Sequence, residues 1–460
     1  MSRNTYYLLM LTFTLISSLP AKETTSLSRE TVAGLLDNII ERIDTRYVDL
    51  EAGRKVIAGL RENLAQGVYD DLHSEMEFAD LVTQDMRRLS NDLHLAVRAT
   101  RTPSKKSGQP VRRKIQKEAN SNHFDGMERP EGGFFRGTVL PGGVGLVEFT
   151  GVLPPFEVPG VREDLQRALE IVADESHVIF DARKCRGGVP ETVASISSNL
   201  YGADSVLLNT YVNRNTGNSE LYTSSSQAVF TGGDKTFYVL TSPGTGSGAE
   251  AFAYMNQQHD RITVVGEQTA GAGRASVFYP ISDHLNVLIP ENESIHPVSK
   301  GNFEKVGVIP DVKVDHRLAL HTAHEIALME KRAKRPWSFA VRKALKNLKA
   351  AKEQVQASLI KAAELTKSSP LAGIFQGDRK IWFDTEGDLR YQRGHSVVFH
   401  LIPRGDNLYE LGIPPDAPTM GARRELPALS FELDDMDQAT GIAFLFSDGR
   451  RDGPFKRVDS

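Results

Sequence analysis

Hydrophobic positions at helical spacing fill the first part of the chain. Ser28 can cap a helix whose apolar residues fall on one face, and two further runs before residue 90 repeat this spacing. The pattern predicts a helical bundle over residues 22–98, in which segment 91–97 is strand-like. The apolar positions are Val32, Leu35, Leu36, Ile39, Ile40 and Ile43, then Ile57, Leu60 and Leu64, and then Phe78, Leu81, Val82, Met86 and Leu89.

From Gly137 onward, strand-like and helical patterns alternate. This alternation predicts a layered α/β core over residues 137–330, and the polar segment 99–136 before it is interpreted as a linker or loop. The strand-like runs are 144–149, 178–181, 206–212, 237–241 and 262–265, with a predicted β pair at 276–281 and 285–289. The helical runs are 161–173, 191–200, 250–257 and 316 to about 331.

The last part of the chain changes character twice. Residues 331–369 continue a helical pattern and are predicted to be a helical linker. Residues 331–352 carry nine basic residues and no acidic ones, which is typical of a solvated helix face, with an anionic partner as the alternative. After Pro370, short strand-like runs with turn signals predict a small β domain over residues 370–460, without a catalytic constellation.

Composition narrows the classes of function. The 460 residues carry a net charge of −4, so nothing global indicates nucleic-acid binding. The single cysteine, Cys185, excludes an intramolecular disulfide and a thiolate zinc cluster. An apolar run after Arg3 ends in Pro20-Ala21 and predicts a signal peptide over residues 1–21, hence a secreted or periplasmic protein; a buried N-terminal element is the alternative. No other apolar stretch is long enough to span a bilayer.

The stretch 235–274 carries the candidate chemistry. It reads as a strand, a Gly-rich turn, Ser247, a helix and a second strand. A serine at a helix N-terminus lies among free backbone N–H groups, which suits an oxyanion-forming nucleophile. The same position also suits a serine that only caps the helix. The turn alone leaves both interpretations open.

Four motifs in fixed order extend this picture: DARKCRGG (181–188), TSPGTGSGAEAFAY (241–254), VVGEQTAGAG (264–273) and NFEKVGVIPDV (302–312). Together they resemble the C-terminal processing, or tail-specific, serine peptidases and the related interphotoreceptor retinoid-binding proteins. The bundle ending in DLHLAV (92–97) resembles the retinoid-binding-protein branch. The resemblance covers about residues 28–330 and implies a ClpP/crotonase-like α/β core.

The resemblance implies a role for each matching residue of the oxyanion region. Ser247 matches the nucleophile, and Gly248 with the Gly187-Gly188 turn matches the oxyanion-hole backbone. Cys185 stands where the family usually has asparagine, which leaves the effect on this turn open.

The base is implied by a choice between two branches of the family. The lysine branch needs an amine where this chain has Ala272, and alanine cannot accept a proton. The tricorn-like branch uses a histidine and a glutamate, which match His94 and Glu304. A histidine bonded to backbone carbonyls and an ordinary loop carboxylate are the alternatives for these two residues. Glu250 is interpreted as stabilising the first turn of its helix.

The sequence therefore predicts a secreted or periplasmic serine peptidase with a Ser247–His94–Glu304 arrangement. We expect a peptide or protein substrate in a cleft between the bundle and the core, no metal or organic cofactor, and no membrane span in the mature chain. The gap between His94 and Val144 is too short for an inserted PDZ domain. A hydrophobic-ligand (retinoid or lipid) binding protein on the same fold is the main alternative, and a structural or interaction protein is the second.

Overall fold

The computed structural model describes residues 27–70, 72, 74–99, 127, 129–202, 204–230, 234–393, 398–405, 407–412, 427–445 and 451–459. The predicted signal peptide and most of the predicted linker 99–136 lie outside the described residues.

Three helices open the described chain: α1 (Arg29–Arg46), α2 (Leu50–Ala65) and α3 (Glu75–Ser90), followed by strand β1 (Ala96–Ala99). Ser28, Asp49 and Ser74 cap them, each accepting a hydrogen bond from a backbone N–H of the first turn. All six apolar residues that the spacing assigns to the first helix are buried. The predicted helices are therefore confirmed.

A six-stranded sheet forms the centre of the next part. Its order is β11-β8-β7-β4-β3-β2, and every neighbouring pair is parallel except β2–β3. The connections β3–β4, β4–β7 and β7–β8 each contain a helix, whereas the connection from β8 to β11 contains the strands β9 and β10. The predicted α/β core is confirmed. In chain order, the elements are β2 (Phe135–Leu140), β3 (Val144–Phe149), α4 (Val161–Ile171), β4 (His177–Asp181), α5 (Pro190–Tyr201), β5 (Leu207–Asn213), β6 (Ser219–Tyr222), β7 (Thr236–Thr241), α6 (Gly248–Gln258), β8 (Thr263–Gly266), β9 (Ala275–Pro280), β10 (Leu285–Ile295), β11 (Val312–Lys313) and α7 (His316–Lys334).

Successive residues of the central strands point to opposite faces of the sheet. Val178 and Phe180 of β4 pack in the apolar cluster that includes Phe252 of α6. Ile179, between them, packs in the other cluster, which includes Ala323 of α7. The sheet is therefore buried on both faces, which explains the continuous apolar runs of its strands.

A second sheet completes the packing of the N-terminal helices. Its order is β1-β10-β5-β6, and β9 pairs with β10 in the antiparallel hairpin that the sequence predicts. Val277 and Tyr279 of β9, with Val287 and Ile289 of β10, share one apolar cluster with α1, α2 and α3. The helices thus bury their apolar faces against this hairpin as well as against each other.

The chain after residue 316 forms two helices, α7 and α8 (Phe339–Ser368), and the predicted helical segment 331–369 is interrupted between them at residues 335–338. The break lies at Pro336, which disfavours helical geometry in the residue before it. Arg335 accordingly has φ −138° and ψ 75°. Ser338 then caps α8 through the backbone N–H of Val341.

The C-terminal part is an antiparallel sheet of eight strands in chain order, with its own apolar cluster. Backbone hydrogen bonds from Gln376 N to Lys456 O (2.9 Å) and from Val458 N to Ile374 O (2.8 Å) close the sheet on itself. The predicted β character is confirmed. The strands are β12 (Gly373–Phe375), β13 (Arg379–Phe383), β14 (Leu389–Arg393), β15 (Phe399–Gly405), β16 (Leu408–Gly412), β17 (Ala428–Leu433), β18 (Ala439–Leu445) and β19 (Arg451–Lys456).

Across the ranges that the structure describes, no helix combines the length and the apolar character needed to cross a membrane.

Candidate active site

Ser247 lies at the end of the Gly-rich turn between β7 and α6, directly before the first residue of α6. Its φ of 47° and ψ of −116° are unusual for a residue other than glycine. Such a conformation costs about 1–3 kcal/mol and persists only where surrounding contacts enforce it. The strained turn places the serine at a helix N-terminus, as the sequence predicts.

His94 is the nearest basic partner of this serine. Its Nε2 lies 3.0 Å from Ser247 Oγ, although the two residues are 153 positions apart in the chain. Burial lowers the pKa of His94 to about 4. The imidazole is therefore neutral near pH 7 and can accept a proton. The structure thus brings together two of the three residues proposed for catalysis.

Glu250 fixes the turn that carries Ser247. This fully buried carboxylate accepts hydrogen bonds from Ser247 N (2.7 Å), Thr269 Oγ1 (2.5 Å), Gly271 N (2.6 Å) and Ala272 N (2.9 Å). Burial raises the pKa of Glu250, and the four hydrogen bonds oppose this shift. The role of Glu250 therefore extends beyond the first turn of α6, because it ties the serine backbone to the loop that contains Ala272.

Glu304 lies against the same loop but forms no hydrogen bond to His94 within the described chain. Its Oε2 accepts from Gly273 N (2.7 Å) and Arg274 N (3.2 Å). Its Oε1 and the Nδ1 of His94 are both buried without a partner among the described residues. Burial, with the nearby charge of Asp92, raises the pKa of Glu304 to about 7.

Three glycines surround Ser247 at close range. Gly187 and Gly188 have φ of 142° and 151°, a region that L side chains rarely adopt. A Cβ on Gly187 would lie 3.0 Å from Ser247 Cβ, and one on Gly248 would lie 2.8 Å from Gly188 N. No protein acceptor among the described residues occupies the backbone N–H groups of these three glycines.

Cys185 is hydrogen-bonded to the Gly187-Gly188 turn. Its thiol donates a hydrogen bond to Gly187 O, with Sγ and O 3.5 Å apart. Burial raises the pKa of the Cys185 thiol to about 12. The thiol is therefore protonated and acts as a structural donor in the turn.

Sequence reasoning missed a cluster of charges around Arg274. The guanidinium contacts Tyr47 Oη (3.1 Å), Asp92 Oδ2 (3.1 Å), Asp49 Oδ2 (3.1 Å) and Glu293 Oε2 (2.9 Å). These partners come from the N-terminal helical part and from β10, so Arg274 joins two parts of the fold beside the site.

This cluster reaches the histidine through Asp92. The carboxylate is fully buried, and its Oδ1 accepts from the backbone N–H of His94 at 2.9 Å. Two sequence features could have indicated the Asp92–Arg274 pair. Asp92 lies two residues before His94, and Arg274 lies directly after the glycine loop. Neither signal identifies the pair without the fold.

Comparison with known proteins identifies two family domains in the chain. Residues 144–314 match the model of peptidase family S41, and residues 21–124 match that of the N-terminal domain of peptidase S41 in eukaryotic IRBP. The chain carries peptidase family S41 domains. The S41 core domain begins at β3 and ends after β11, so it contains Ser247 and Glu304, whereas His94 lies in the N-terminal domain.

One curated relative is similar to part of this chain. It is the carboxyl-terminal-processing protease of Synechocystis, 30% identical over 147 residues, which are 30% of this chain and 31% of that protein. This chain therefore spans about a third of the length of the relative that it matches.

Two solved structures that are similar to this chain have TM-scores below 0.5, so the S41 domains are identified from the sequence matches alone. A lipoprotein from Streptococcus agalactiae gives a TM-score of 0.45 at 12% identity over 71% of this chain and 100% of its own. The photosystem II D1 C-terminal processing protease gives 0.38 at 14% identity over 62% of this chain and 94% of its own.

One group of side chains at the end of the S41 core and the start of α7 offers potential metal ligands. Ligand atoms of Glu267, Asp315 and His316 lie within 4.8 Å of one another among the described residues. Asp315 is already paired with Arg317, and Glu267 with His316. The expectation of a cofactor-free protein therefore stays a prediction.

Proposed function

We propose that this chain is a serine peptidase that hydrolyses peptide bonds through Ser247, His94 and Glu304. The observation that carries the proposal is the 3.0 Å contact between His94 Nε2 and Ser247 Oγ at a strained turn. The matches to peptidase family S41 support it, and they favour hydrolysis over the hydrophobic-ligand alternative.

The proposed reaction begins with attack of Ser247 Oγ on the scissile carbonyl carbon. His94 Nε2 takes the hydroxyl proton, and the N–H groups of Gly248 and the Gly187-Gly188 turn stabilise the oxyanion. Collapse of the tetrahedral intermediate breaks the C–N bond, and His94 returns the proton to the leaving amine. Water then attacks the acyl-enzyme with His94 again as base, which releases the carboxylic acid and restores Ser247.

Glu304 would complete the arrangement by orienting the imidazole of His94. His94 Nδ1 and Glu304 Oε1 are each buried without a partner in the described structure, and buried polar atoms normally have one. We propose that Nδ1–H donates to this carboxylate, directly or through one water. An ionised Glu304 would then stabilise the imidazolium formed during attack. Ala272 offers no amine, so the mechanism uses histidine and not lysine.

The proposal also includes the remaining predictions from the sequence. The central sheet would be a ClpP/crotonase-like core, the mature protein would be secreted or periplasmic, and residues 370–460 would fold as a separate unit. The closed C-terminal sheet with its own apolar cluster supports this unit. The carboxyl-terminal-processing relative suggests a substrate that is cut near its C-terminal tail.

The test is turnover of paired peptides that differ only in a free or an amidated C-terminus. We expect cleavage by the full chain, faster for the free carboxylate, and its loss in Ser247→Ala. Ser299→Ala, at a serine bonded to Tyr254, is the matched control and should cleave as the wild type does. Cleavage that survives Ser247→Ala would contradict the proposal. Equal rates for both peptides would remove only its tail specificity.

A further inference from the structure

The turn between α7 and α8 exposes large apolar side chains. Trp337 is 85% exposed and Phe339 is 73% exposed, and Met329, two turns earlier on α7, is 53% exposed. Scattered apolar residues are ordinary on a protein surface, but neighbouring exposed aromatic residues mark interaction sites. We call the surface of residues 329–346 the α7–α8 tip.

Basic side chains surround these apolar groups. Segment 331–352 contains nine basic residues and no acidic one. Within the part of the chain that the structure describes, six exposed basic side chains of the tip form no ion pair or hydrogen bond. They are Arg332, Lys334, Arg335, Arg342, Lys343 and Lys346.

The tip is held in place by the fold. Lys331 contacts the backbone carbonyl of Gly143 and the carboxylate of Glu175 (3.4 Å), so it joins the end of α7 to the core. Val341 and Ala344 of α8 are buried against the core sheet. Phe339, Arg342, Lys343 and Lys346 follow the i, i+3, i+4, i+7 spacing, so they share the outward face of α8.

We infer that the α7–α8 tip docks on the surface of an anionic phospholipid bilayer. Tryptophan and phenylalanine side chains enter the interface between headgroups and acyl chains, and basic side chains are attracted to anionic headgroups. The tip presents both groups, and its one acidic residue, Glu330, is bonded to His177 and Tyr238 of the core. Docking on the bilayer surface needs no membrane-spanning helix.

The position of the tip in the core leaves the candidate active site open during docking. Gly143 precedes β3 and Glu175 precedes β4, so the tip lies at the edge where the parallel strands begin. Ser247 follows the end of β7, at the opposite edge. A strand of five residues, such as β4, separates the two edges by about 17 Å.

Tryptophan fluorescence can test this docking because the chain contains only two tryptophans, Trp337 and Trp382. Trp382→Phe leaves Trp337 as the single reporter in the full chain. With vesicles of phosphatidylcholine and phosphatidylglycerol, we expect a blue shift of its emission and quenching by brominated acyl chains. Pure phosphatidylcholine vesicles should produce much weaker changes, and added salt should reduce binding.

Co-sedimentation with the same vesicles gives the effect of each group. The triple variant Arg342→Gln/Lys343→Gln/Lys346→Gln should lower the vesicle partition coefficient by about 100-fold. The variant Trp337→Ser/Phe339→Ser should lower it by about tenfold or more. The matched control is Met436→Ser, at a residue that is 77% exposed in the turn between β17 and β18, and it should bind as the wild type does.

Three results would overturn the inference. One is an unchanged Trp337 emission in the presence of anionic vesicles. Another is vesicle binding by Trp337→Ser/Phe339→Ser that equals binding by Met436→Ser. The third is binding of the protein to an RNA oligonucleotide or to an acidic protein, without any binding to vesicles. Each measurement can be repeated in a Ser247→Ala background, so the result does not depend on peptidase activity.

Discussion

Replacing Glu250 by glutamine should destabilise the protein through its buried hydrogen bonds. All four atoms that reach this carboxylate are donors: two meet Oε1 (Thr269 Oγ1 and Gly271 N) and two meet Oε2 (Ser247 N and Ala272 N). The glutamine NH₂ group can take the place of either Oε1 or Oε2. The penalty is smaller at Oε1, because the Thr269 hydroxyl can rotate and accept a hydrogen bond from the NH₂ group. The backbone N–H of Gly271 then faces another donor.

The size of this effect follows from the groups left unpaired. A buried N–H without an acceptor costs about 1–3 kcal/mol. The two bonds that the remaining oxygen still accepts lose their charge assistance, at about 1 kcal/mol in total. We therefore expect Glu250→Gln to lower the free energy of unfolding by about 2–4 kcal/mol, and Glu250→Ala to lower it further.

Urea denaturation followed by far-UV circular dichroism measures this change. The matched control is Glu170→Gln, at an exposed pair with Gln166 on α4, which should stay within about 0.5 kcal/mol of the wild type. A Glu250→Gln value within the same limit, with an unchanged m-value, would refute the idea that this carboxylate holds the strained turn.

Three further predictions concern the surroundings of the site. His94 must be neutral and Glu304 ionised, so kcat/KM should fall with decreasing pH near about 7, where Glu304 gains a proton, and again near about 4, where His94 does. Glu304→Gln should remove the upper step. A step near 7 that survives this change would contradict the assignment. Arg274→Met should cost about 3–5 kcal/mol of stability in urea denaturation, because it leaves the charge of Asp92 buried and unpaired, and the double variant with Asp92→Asn should recover part of this loss. The Cys185 thiol should resist iodoacetamide in the native protein and react only in denaturant, because burial raises its pKa to about 12; rapid native labelling would show an accessible thiolate.

The elements that sequence reasoning predicted correctly are those that local sequence patterns define. The spacing of apolar residues after Ser28 identifies α1, because the buried face of a helix follows from its own sequence. The Ser247 turn is likewise local, since a strand, glycines and a helix in succession define it. The Ser247–His94 contact spans 153 positions, and only the resemblance to a family suggested it.

The features that sequence reasoning missed depend on distant partners or on one overlooked residue. The Arg274 cluster joins residues that are up to 227 positions apart, so no spacing in the chain indicates it. The packing of the N-terminal helices on the β9–β10 hairpin is likewise a tertiary arrangement. The break at Pro336 could have been predicted from the sequence alone, because helices seldom tolerate a proline in their interior. The basic pattern continues across this proline.

The most direct test of a histidine-activated Ser247 is labelling of the native chain by a fluorophosphonate probe. Mass spectrometry should place the adduct on Ser247, and His94→Ala should slow labelling by about 1,000-fold or more. His284→Ala, an exposed histidine at the β9–β10 turn, should label at the wild-type rate. An adduct on another serine, or wild-type labelling of folded His94→Ala, would contradict the account.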